Sequence, residues 1–354
     1  KESMARVVGA KPLEVVVMNT LTTNLHLMMA AFYRPSGSRT RILIEDKAFP
    51  SDWQLVASQA RHHGLDPATT VVLAKPRAGE SCLRTEDIVS LLEKEGESIA
   101  LVLLAGVQYY TGQRFDVKAV TAAAQAQGCS VGWDLAHAAG NVPLSLHEWG
   151  PDFACWCTYK YLNAGPGSLA GCFVHERHAE DSSLPRFAGW WGHRKEDRFQ
   201  MDHTFVPTPG AAGFMLSNPP ILPIIQLRAS LDVFDKTSME RLRRKSLALT
   251  SYLEVLLATA LPRVRVITPR SLAERGCQLS VEFPPEVDLK QLYGVLKRET
   301  VIVDLREPSV MRVAPTPLYT SFEDVRSLVR VLKACVEEVA AASAGAGAGG
   351  AADE

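Results

Sequence analysis

Two stretches decide the fold: Ser130-Val-Gly-Trp-Asp134, and Phe153-Ala-Cys-Trp-Cys157 followed by Thr-Tyr-Lys160. Each begins as a short, apolar run typical of a strand that is covered on both faces of a parallel sheet. The first run ends in an acid, and the second leads into a lysine. Ligands bind at the carboxyl edge of such sheets. A lysine amine that can join an aldehyde and an acid that can protonate a pyridine nitrogen are the two groups that pyridoxal phosphate (PLP) requires.

Both residues also have simpler interpretations. An acid after a strand is often an ordinary helix cap, which is the more common role for a residue such as Asp134 considered alone. A lysine is usually a solvated surface charge. His137, three residues after the acid, and the small-residue loop 163–168 after Lys160 favour a ligand site at this edge.

Outward from these stretches, apolar runs alternate with helical patterns between residues 13 and 174. This alternation predicts an α/β fold with a mostly parallel sheet flanked by helices. Turn and capping residues set the expected ends of the elements. We predict strands at 14–17, 41–45, 70–73, 99–104, 130–134, 153–157 and 170–174, and helices at 52–63, 86–95 and 117–127 with Ser51, Thr85 and Asp116 as their caps.

A stretch rich in glycine, proline and aromatic residues, 189–220, breaks this rhythm. After it we predict a long helix at 224–257, bent or broken, strands at 264–267, 278–283, 301–304 and 311–314, and helices at 289–298 and 321–340. The expected domains are a large PLP-binding α/β domain (1–223), a smaller C-terminal α+β domain (224–340) and a disordered Ala/Gly tail (341–354).

Composition excludes several classes of protein. The 354 residues are 47% hydrophobic with a net charge of −1 and carry no basic stripe, so we expect no nucleic-acid partner. No apolar run is long enough to span a bilayer, which predicts a soluble cytoplasmic protein. Seven cysteines without a Cys-x-x-Cys pair indicate buried free thiols. His175 and His178 lack further ligands nearby in the sequence, so we predict no metal.

Several separated motifs together resemble kynureninases of the vertebrate type, over residues 13 to about 337. The resemblance implies the aspartate-aminotransferase superfamily (PLP fold type I), PLP as cofactor, and a homodimer. It implies hydrolysis of kynurenine and 3-hydroxykynurenine to alanine and anthranilate or 3-hydroxyanthranilate, in tryptophan catabolism. The motifs are Leu21-Thr-x-Asn24, Phe49-Pro-Ser-Asp52, Asp134-Leu-Ala-His137, Tyr159-Lys-Tyr-Leu-Asn-Ala-Gly165, Gly189-Trp190, Ser217-Asn-Pro-Pro220 and Arg312-Val-Ala-Pro315.

The resemblance also implies roles for single residues. Lys160 and Tyr159 would be catalytic, and Arg312 and His193 would contact the substrate, with Arg312 on its α-carboxylate. Without the family, the segments at Leu21 and Phe49 are also explained as ordinary capped helix starts. Trp190 could simply anchor a loop, Asn218 could form an Asn-Pro-Pro turn, and Arg312 could be a surface charge. The implied cofactor contacts are Leu21, Thr22, Phe49, Pro50, Ser51, Asp52, Ala105, Asp134, His137, Tyr159, Lys160, Trp190 and Asn218. Of these, Trp190 and Asn218 would reach the site of the partner subunit.

Two departures from the family leave alternatives open. Ala105 stands where the family has a serine, which removes one cofactor hydrogen bond worth about 1 kcal/mol. From the resemblance we also expect the chain to lack the family's N-terminal segment of roughly one hundred residues, which would carry further substrate contacts. The alternatives are a PLP-binding homologue without turnover, or another superfamily member such as a cysteine desulfurase or class V aminotransferase, although a desulfurase needs an exposed loop cysteine.

Overall fold

The computed structural model describes residues 1–348, which form two compact units. The first contains residues 1–109 and 114–240, and the second contains residues 110–113 and the chain from 241 onward. The boundary near residue 240 lies one helix later than the predicted division at 223/224.

The first unit is built on a seven-stranded sheet in the order β1-β7-β6-β5-β4-β2-β3. Five adjacent strands, β2 to β6, are parallel to one another, and β7 runs antiparallel to both β6 and β1. This confirms the mostly parallel sheet predicted from sequence. The strands are β1 (Val15–Met18), β2 (Arg41–Glu45), β3 (Val71–Ala74), β4 (Ile99–Ala105), β5 (Ser130–Asp134), β6 (Phe153–Cys157) and β7 (Ala170–Val174).

Helices flank this sheet. Strands β6 and β7 are buried along their whole length, which explains their continuous apolar runs. The helices of the first unit are α1 (Glu2–Val8), α2 (Leu21–Phe32), α3 (Pro50–His62), α4 (Pro67–Thr70), α5 (Thr85–Glu95), α6 (Val117–Ala126), α7 (Leu146–Trp149) and α8 (Ile221–Phe234).

The predicted helix caps are partly wrong. Asp116 caps α6 as expected, since its side chain accepts a hydrogen bond from Ala119 N. Ser51 and Thr85 instead lie inside their helices, whose N-caps are Phe49 and Arg84. Helix α3 starts early because Pro50, at its first position, has its φ already fixed at a helical value and needs no N–H partner there.

The second unit carries a four-stranded antiparallel sheet in the order β10-β11-β9-β8, with helices α9 to α11. The predicted long helix is two helices, α8 and α9, separated by the polar residues 235–238. The predicted strand at 301–304 is wrong: the segment that pairs with β11 is β10 (Asp304–Arg306), so the strand begins at the last residue of the predicted range. The elements are α9 (Met239–Ala260), β8 (Arg265–Val266), β9 (Leu279–Glu282), α10 (Leu289–Arg298), β10 (Asp304–Arg306), β11 (Val310–Val313) and α11 (Phe322–Ala348).

Helix α11 continues through residues 341–348, so the expected disordered tail is wrong over that span. Residues 349–354 of the predicted tail lie outside the described residues. No helix in the described chain is long and apolar enough to cross a membrane.

Candidate active site

A short loop fixes Lys160 immediately after β6. The buried Thr158 hydroxyl donates to the carbonyl of Leu169, and its own carbonyl accepts from Ala164 N at 3.0 Å. Asn163 N donates to Lys160 O at 3.0 Å, and Asn163 adopts a left-handed φ of 55° that asparagine tolerates well. The lysine therefore projects from a closed turn rather than from a mobile loop.

Two rings lie beside the lysine amine. Lys160 Nζ is 3.1 Å from His137 Nε2 and 5.8 Å from the centroid of the Phe49 ring. Phe49 meets the edge of Tyr109 at 5.1 Å, and His137 meets Tyr161 at 5.7 Å, so both rings are held in place by further aromatic contacts. The structure thus brings together Phe49, His137 and Lys160, which are far apart in sequence.

A hydrogen-bonded pair of buried acids lies at the carboxyl end of β5. Asp134 Oδ1 accepts Ala136 N at 2.7 Å, and the Asp134 carboxylate also bonds Asp52 in α3. Burial raises the pKa of Asp52 well above its usual range, and the negative charge of Asp134 raises it further. Burial also raises the pKa of Asp134, but the Ala136 N–H, Asp52 and the Lys160 ammonium counteract it. Asp52 therefore keeps its proton and donates it to an ionised Asp134.

The start of α2 presents free N–H groups. Thr20 is its N-cap residue, and no side chain caps the first turn in the described part of the chain. Asn24 is fully buried and donates to the last carbonyl of β1 at 3.0 Å, while Asn19, with φ 44°, donates to Asn24. These hydrogen bonds fix the helix start, and the N–H groups of Leu21 and Thr22 can donate hydrogen bonds to an anion.

Tyr159 has a raised pKa of about 12, chiefly because burial disfavours the phenolate and secondly because of Cys157. The side chain is nevertheless 49% exposed, so its hydroxyl remains reachable. A phenol with this pKa stays protonated at neutral pH. Tyr159 can therefore donate a hydrogen bond to an anion next to the lysine.

Of the predicted site residues in the excursion 189–220, Trp190 and His193 form hydrogen bonds within that segment. Trp190 Nε1 donates to Arg198 O at 3.1 Å, and the Arg198 guanidinium lies 5.4 Å from the Trp190 ring. His193 Nε2 is 2.8 Å from Asp197 Oδ1. Asn218 is exposed ahead of α8. Their contacts with a partner subunit remain predictions.

Arg312 lies on β11 in the second unit, directly opposite Asp304 of β10. The two side chains form an ion pair, and Asp304 also binds Arg306 at 2.9 Å. Arg312 lines a cavity of about 490 Å³ in this unit. The guanidinium is thus held by a carboxylate, the same group that it would bind in an amino-acid substrate.

The sequence reasoning missed two acids near predicted site residues, Glu45 and Asp304. Glu45 ends β2 and is 2% exposed, and its Oε2 accepts Ala105 N at 3.2 Å. Ala105, at the end of β4, is in register with Asp134. Glu45 carries the same signal as Asp134, an acid ending an apolar run, and that signal could have found it.

One group of potential metal ligands occurs in the described chain: Glu14, His147 and His175. Glu14 Oε1 is 3.0 Å from His147 Nδ1 and accepts Glu176 N at 2.9 Å, and His175 Nδ1 accepts Arg177 N. These bonds explain the group as a structural network around a buried carboxylate. None of the seven cysteines, all of which lie in the described part of the chain, forms a disulfide; Cys82 is half-buried and the other six are buried.

The donor set fits PLP. A reachable amine, two aromatic rings beside that amine, a buried carboxylate with a proton-donating neighbour and an uncapped helix start supply one partner for each part of the cofactor. Their position at the carboxyl edge of a mostly parallel sheet is where such folds bind ligands. Fold and site together define a PLP-dependent enzyme of fold type I.

Solved structures agree with this fold. A cysteine desulfurase from Thermococcus onnurineus superposes with a TM-score of 0.77 at 18% identity, covering 95% of this chain and 82% of that one. A cysteine desulfurase from Escherichia coli gives 0.78 at 17% identity, covering 96% and 83%. At such identities the likeness extends to the fold alone.

Sequence relatives specify the family. The family model described as "Kynureninase C-terminal domain" matches residues 242–332. A kynureninase from Nematostella vectensis is 53% identical over 95% of this chain and 74% of its own length, and one from Myxococcus xanthus is 57% identical over 95% and 79%. The chain belongs to the kynureninase family. These relatives are an animal and a bacterial protein, so the narrower vertebrate type stays a prediction.

Proposed function

We propose that this chain is a PLP-dependent hydrolase that cleaves the Cβ–Cγ bond of L-kynurenine and 3-hydroxy-L-kynurenine. The products are L-alanine and anthranilate or 3-hydroxyanthranilate. The observation that carries the proposal is identity above 50% to kynureninases over nearly the whole chain, together with an amine at 3.1 Å from His137 beside a buried acid pair.

When bound, PLP supplies an aldehyde that amines can join and a ring that accepts the electron pair left at the substrate's α-carbon. The residues that would hold it have separate tasks. Lys160 would bind the aldehyde, and Phe49 and His137, whose rings lie beside the amine, would contact the attached ring. Asp134 would accept the ring N–H. The first-turn N–H groups of α2 and the Tyr159 hydroxyl would bind the phosphate.

Lys160 is also the group that moves the substrate's α-proton. Its Nζ, which a rigid turn holds beside His137, would accept that proton from the α-carbon. His137 Nε2, 3.1 Å away, can exchange a hydrogen bond with that amine and hold it in position. Tyr159 is a second proton donor beside it and is protonated at neutral pH because its pKa is about 12.

The substrate contacts follow from charge and shape. Arg312 presents a planar guanidinium that already binds a carboxylate, Asp304, and the substrate's α-carboxylate would take that place. His193, fixed by Asp197, would line the site of the substrate's aromatic ring. Pro50 and Ser51 form the first turn that carries Asp52.

The test is direct. Purified chain is loaded with PLP and incubated with 3-hydroxykynurenine and, separately, kynurenine, and the aromatic acid and alanine are quantified. We expect both products in equal amounts, and none from a Lys160→Ala variant. A chain that binds PLP but releases no aromatic acid would instead be a binding homologue without turnover, an outcome to which Ala105 would contribute by removing a cofactor contact.

We also propose that the chain acts as a cytoplasmic homodimer. Large apolar side chains are exposed in and after the excursion, and contact with a second copy would cover them. Seven cysteines without a disulfide fit a reducing compartment. The exposed side chains are Trp190 (48%), Phe199 (77%), Ile221 (71%), Leu222 (75%) and Ile225 (57%).

Subunit mixing tests the sharing of sites. A dimer of one Lys160→Ala chain and one Trp190→Ala chain contains one intact site if Trp190 serves the partner's lysine. Random mixing of two inactive variants should therefore restore about a quarter of wild-type activity, by symmetry of the dimer. No recovery after mixing, with dimers confirmed by sedimentation, would show that Trp190 acts only within its own chain.

A further inference from the structure

Glu45 is a buried acid without an assigned role. It ends β2 at the carboxyl edge of the sheet and is 2% exposed. Its Oε2 accepts the N–H of Ala105 at 3.2 Å, and so reaches across the end of β4 towards β5. Ala105 is in register with Asp134, and the Asp134 charge contributes to the raised pKa of Glu45, so the two carboxyls lie close to each other.

Three carboxyls from three elements thus share one buried region: Glu45, Asp52 and Asp134. Among the described residues, the groups that interact with these carboxyls include the N–H groups of Ala105 and Ala136, the Ser51 hydroxyl at 3.4 Å from Asp52, and the cationic side chain of Lys160. The Cys155 and Cys157 thiols and the Tyr159 hydroxyl also interact electrostatically with Asp134. One cation cannot compensate three buried negative charges, so protons must remain on the cluster at neutral pH.

The order of protonation follows from these contacts. Asp52 retains its proton and donates it to Asp134, which carries the negative charge. Burial, with a further contribution from Asp134, raises the pKa of Glu45 to about 7. Glu45 is therefore the member of the cluster that changes charge near neutral pH.

We propose that Glu45 is a positioning residue of the cofactor site, whose carboxyl sets the electrostatic potential at Asp134 and thereby how strongly Asp134 holds a protonated ring nitrogen. The inference rests on the proposed placement of PLP against Asp134. An ionised Glu45 adds a second negative charge near Asp134 and strengthens the attraction of this region for a cation bound to Asp134. A protonated Glu45 contributes only its hydrogen bond to Ala105.

The test compares the Glu45→Gln variant with the wild type at about pH 6 and about pH 8, on either side of the Glu45 titration at about 7. Glutamine keeps the oxygen that accepts Ala105 N–H but cannot ionise. The dissociation constant of PLP is measured by absorbance titration of the apoprotein. At the lower pH the two constants should agree. At the higher pH the variant should bind about tenfold more weakly, as expected for the loss of one nearby charge in a partly screened site.

Thermal unfolding of the apoprotein gives a second readout. Because the pKa of Glu45 is raised in the folded state, its contribution to stability is fully present below its unfolded pKa and is lost as the pH rises through about 7. The melting temperature of the wild type should therefore fall relative to Glu45→Gln between about pH 5 and pH 8. The two proteins should melt together at the acidic end.

Asp46→Asn is the matched control, since it removes the same charge one residue along the chain at a half-exposed position. Its PLP affinity should follow the wild type at both pH values. A ratio of Glu45→Gln to wild-type dissociation constants that is the same at both pH values overturns the proposal, as does a Glu45→Gln chain that fails to fold at about pH 6, where glutamine mimics the protonated carboxyl. Failure of wild-type apoprotein to bind PLP at all would instead refute the proposed function.

Discussion

The acid pair Asp52–Asp134 provides the sharpest prediction, because the same substitution should strongly weaken PLP binding at one carboxyl and leave it nearly unchanged at the other. Asparagine resembles a protonated aspartic acid in shape and retains one donor and one acceptor. Asp52 already holds a proton, so Asp52→Asn leaves the hydrogen bond to Asp134 intact. Asp134 holds the charge, so Asp134→Asn removes the group that PLP's ring nitrogen requires.

The contacts of Asp134 set the size of the effect. Its two oxygens accept Ala136 N at 2.7 Å and the Asp52 proton, and they must also accept the cofactor's ring N–H. An asparagine has one oxygen and cannot accept all three. Loss of a hydrogen bond to a charged group costs about 1.5–3 kcal/mol, or about ten- to hundredfold in a dissociation constant. For Asp52→Asn we expect a change within about threefold, since the bond is kept.

The assay is absorbance titration of each apoprotein with PLP near neutral pH, with thermal unfolding as a control for folding. Asp52→Ala serves as the matched disruption, since it removes the donor to Asp134 as well as the carboxyl. Equal weakening by Asp52→Asn and Asp134→Asn would refute the reasoning. The reversed order would place the negative charge on Asp52.

Three further predictions concern single side chains. Tyr159→Phe should weaken PLP binding about tenfold by removing one hydrogen bond to the phosphate, and absorbance titrations below about pH 10 should give the same ratio throughout, because the Tyr159 pKa is about 12. Ala105→Ser restores the hydroxyl that the family carries and should tighten PLP binding about fivefold; unchanged affinity would mean that this position does not reach the cofactor. Arg312→Lys should raise KM for kynurenine about tenfold or more with a smaller change in kcat, because lysine cannot form the paired bonds of the guanidinium; a pure kcat defect in steady-state kinetics would contradict a role in substrate binding.

The strands of the sheet could be predicted where the strand's own residues form the apolar run that a buried strand requires. Strands β2, β5, β6 and β7 have the predicted ends because each is an uninterrupted apolar run bounded by polar or small residues. Strand β10 could not be found this way. Two of its three residues, Asp304 and Arg306, are charged, and the segment forms a strand because it pairs with β11, which places Asp304 opposite Arg312. Such pairing is set by tertiary contacts.

The candidate site likewise contains residues that local sequence could predict and residues that it could not. Lys160 and Asp134 were predictable because each follows its own strand, and a strand end of a parallel sheet is a known ligand position. Glu45 ends a strand too, but its importance depends on the approach of α3 and β5, which bring two further carboxyls to it. Local sequence reports neither that approach nor the resulting change in protonation.

The central claim is that Lys160 is the covalent attachment point of PLP in an enzyme that hydrolyses kynurenines. The measurement that tests it most directly is borohydride reduction of the PLP-loaded chain, followed by peptide mass spectrometry. The account predicts a yellow protein that loses its colour on reduction, with the phosphopyridoxyl mass on the peptide containing Lys160. A colourless preparation, or a label on another lysine with Lys160 unmodified, would contradict it.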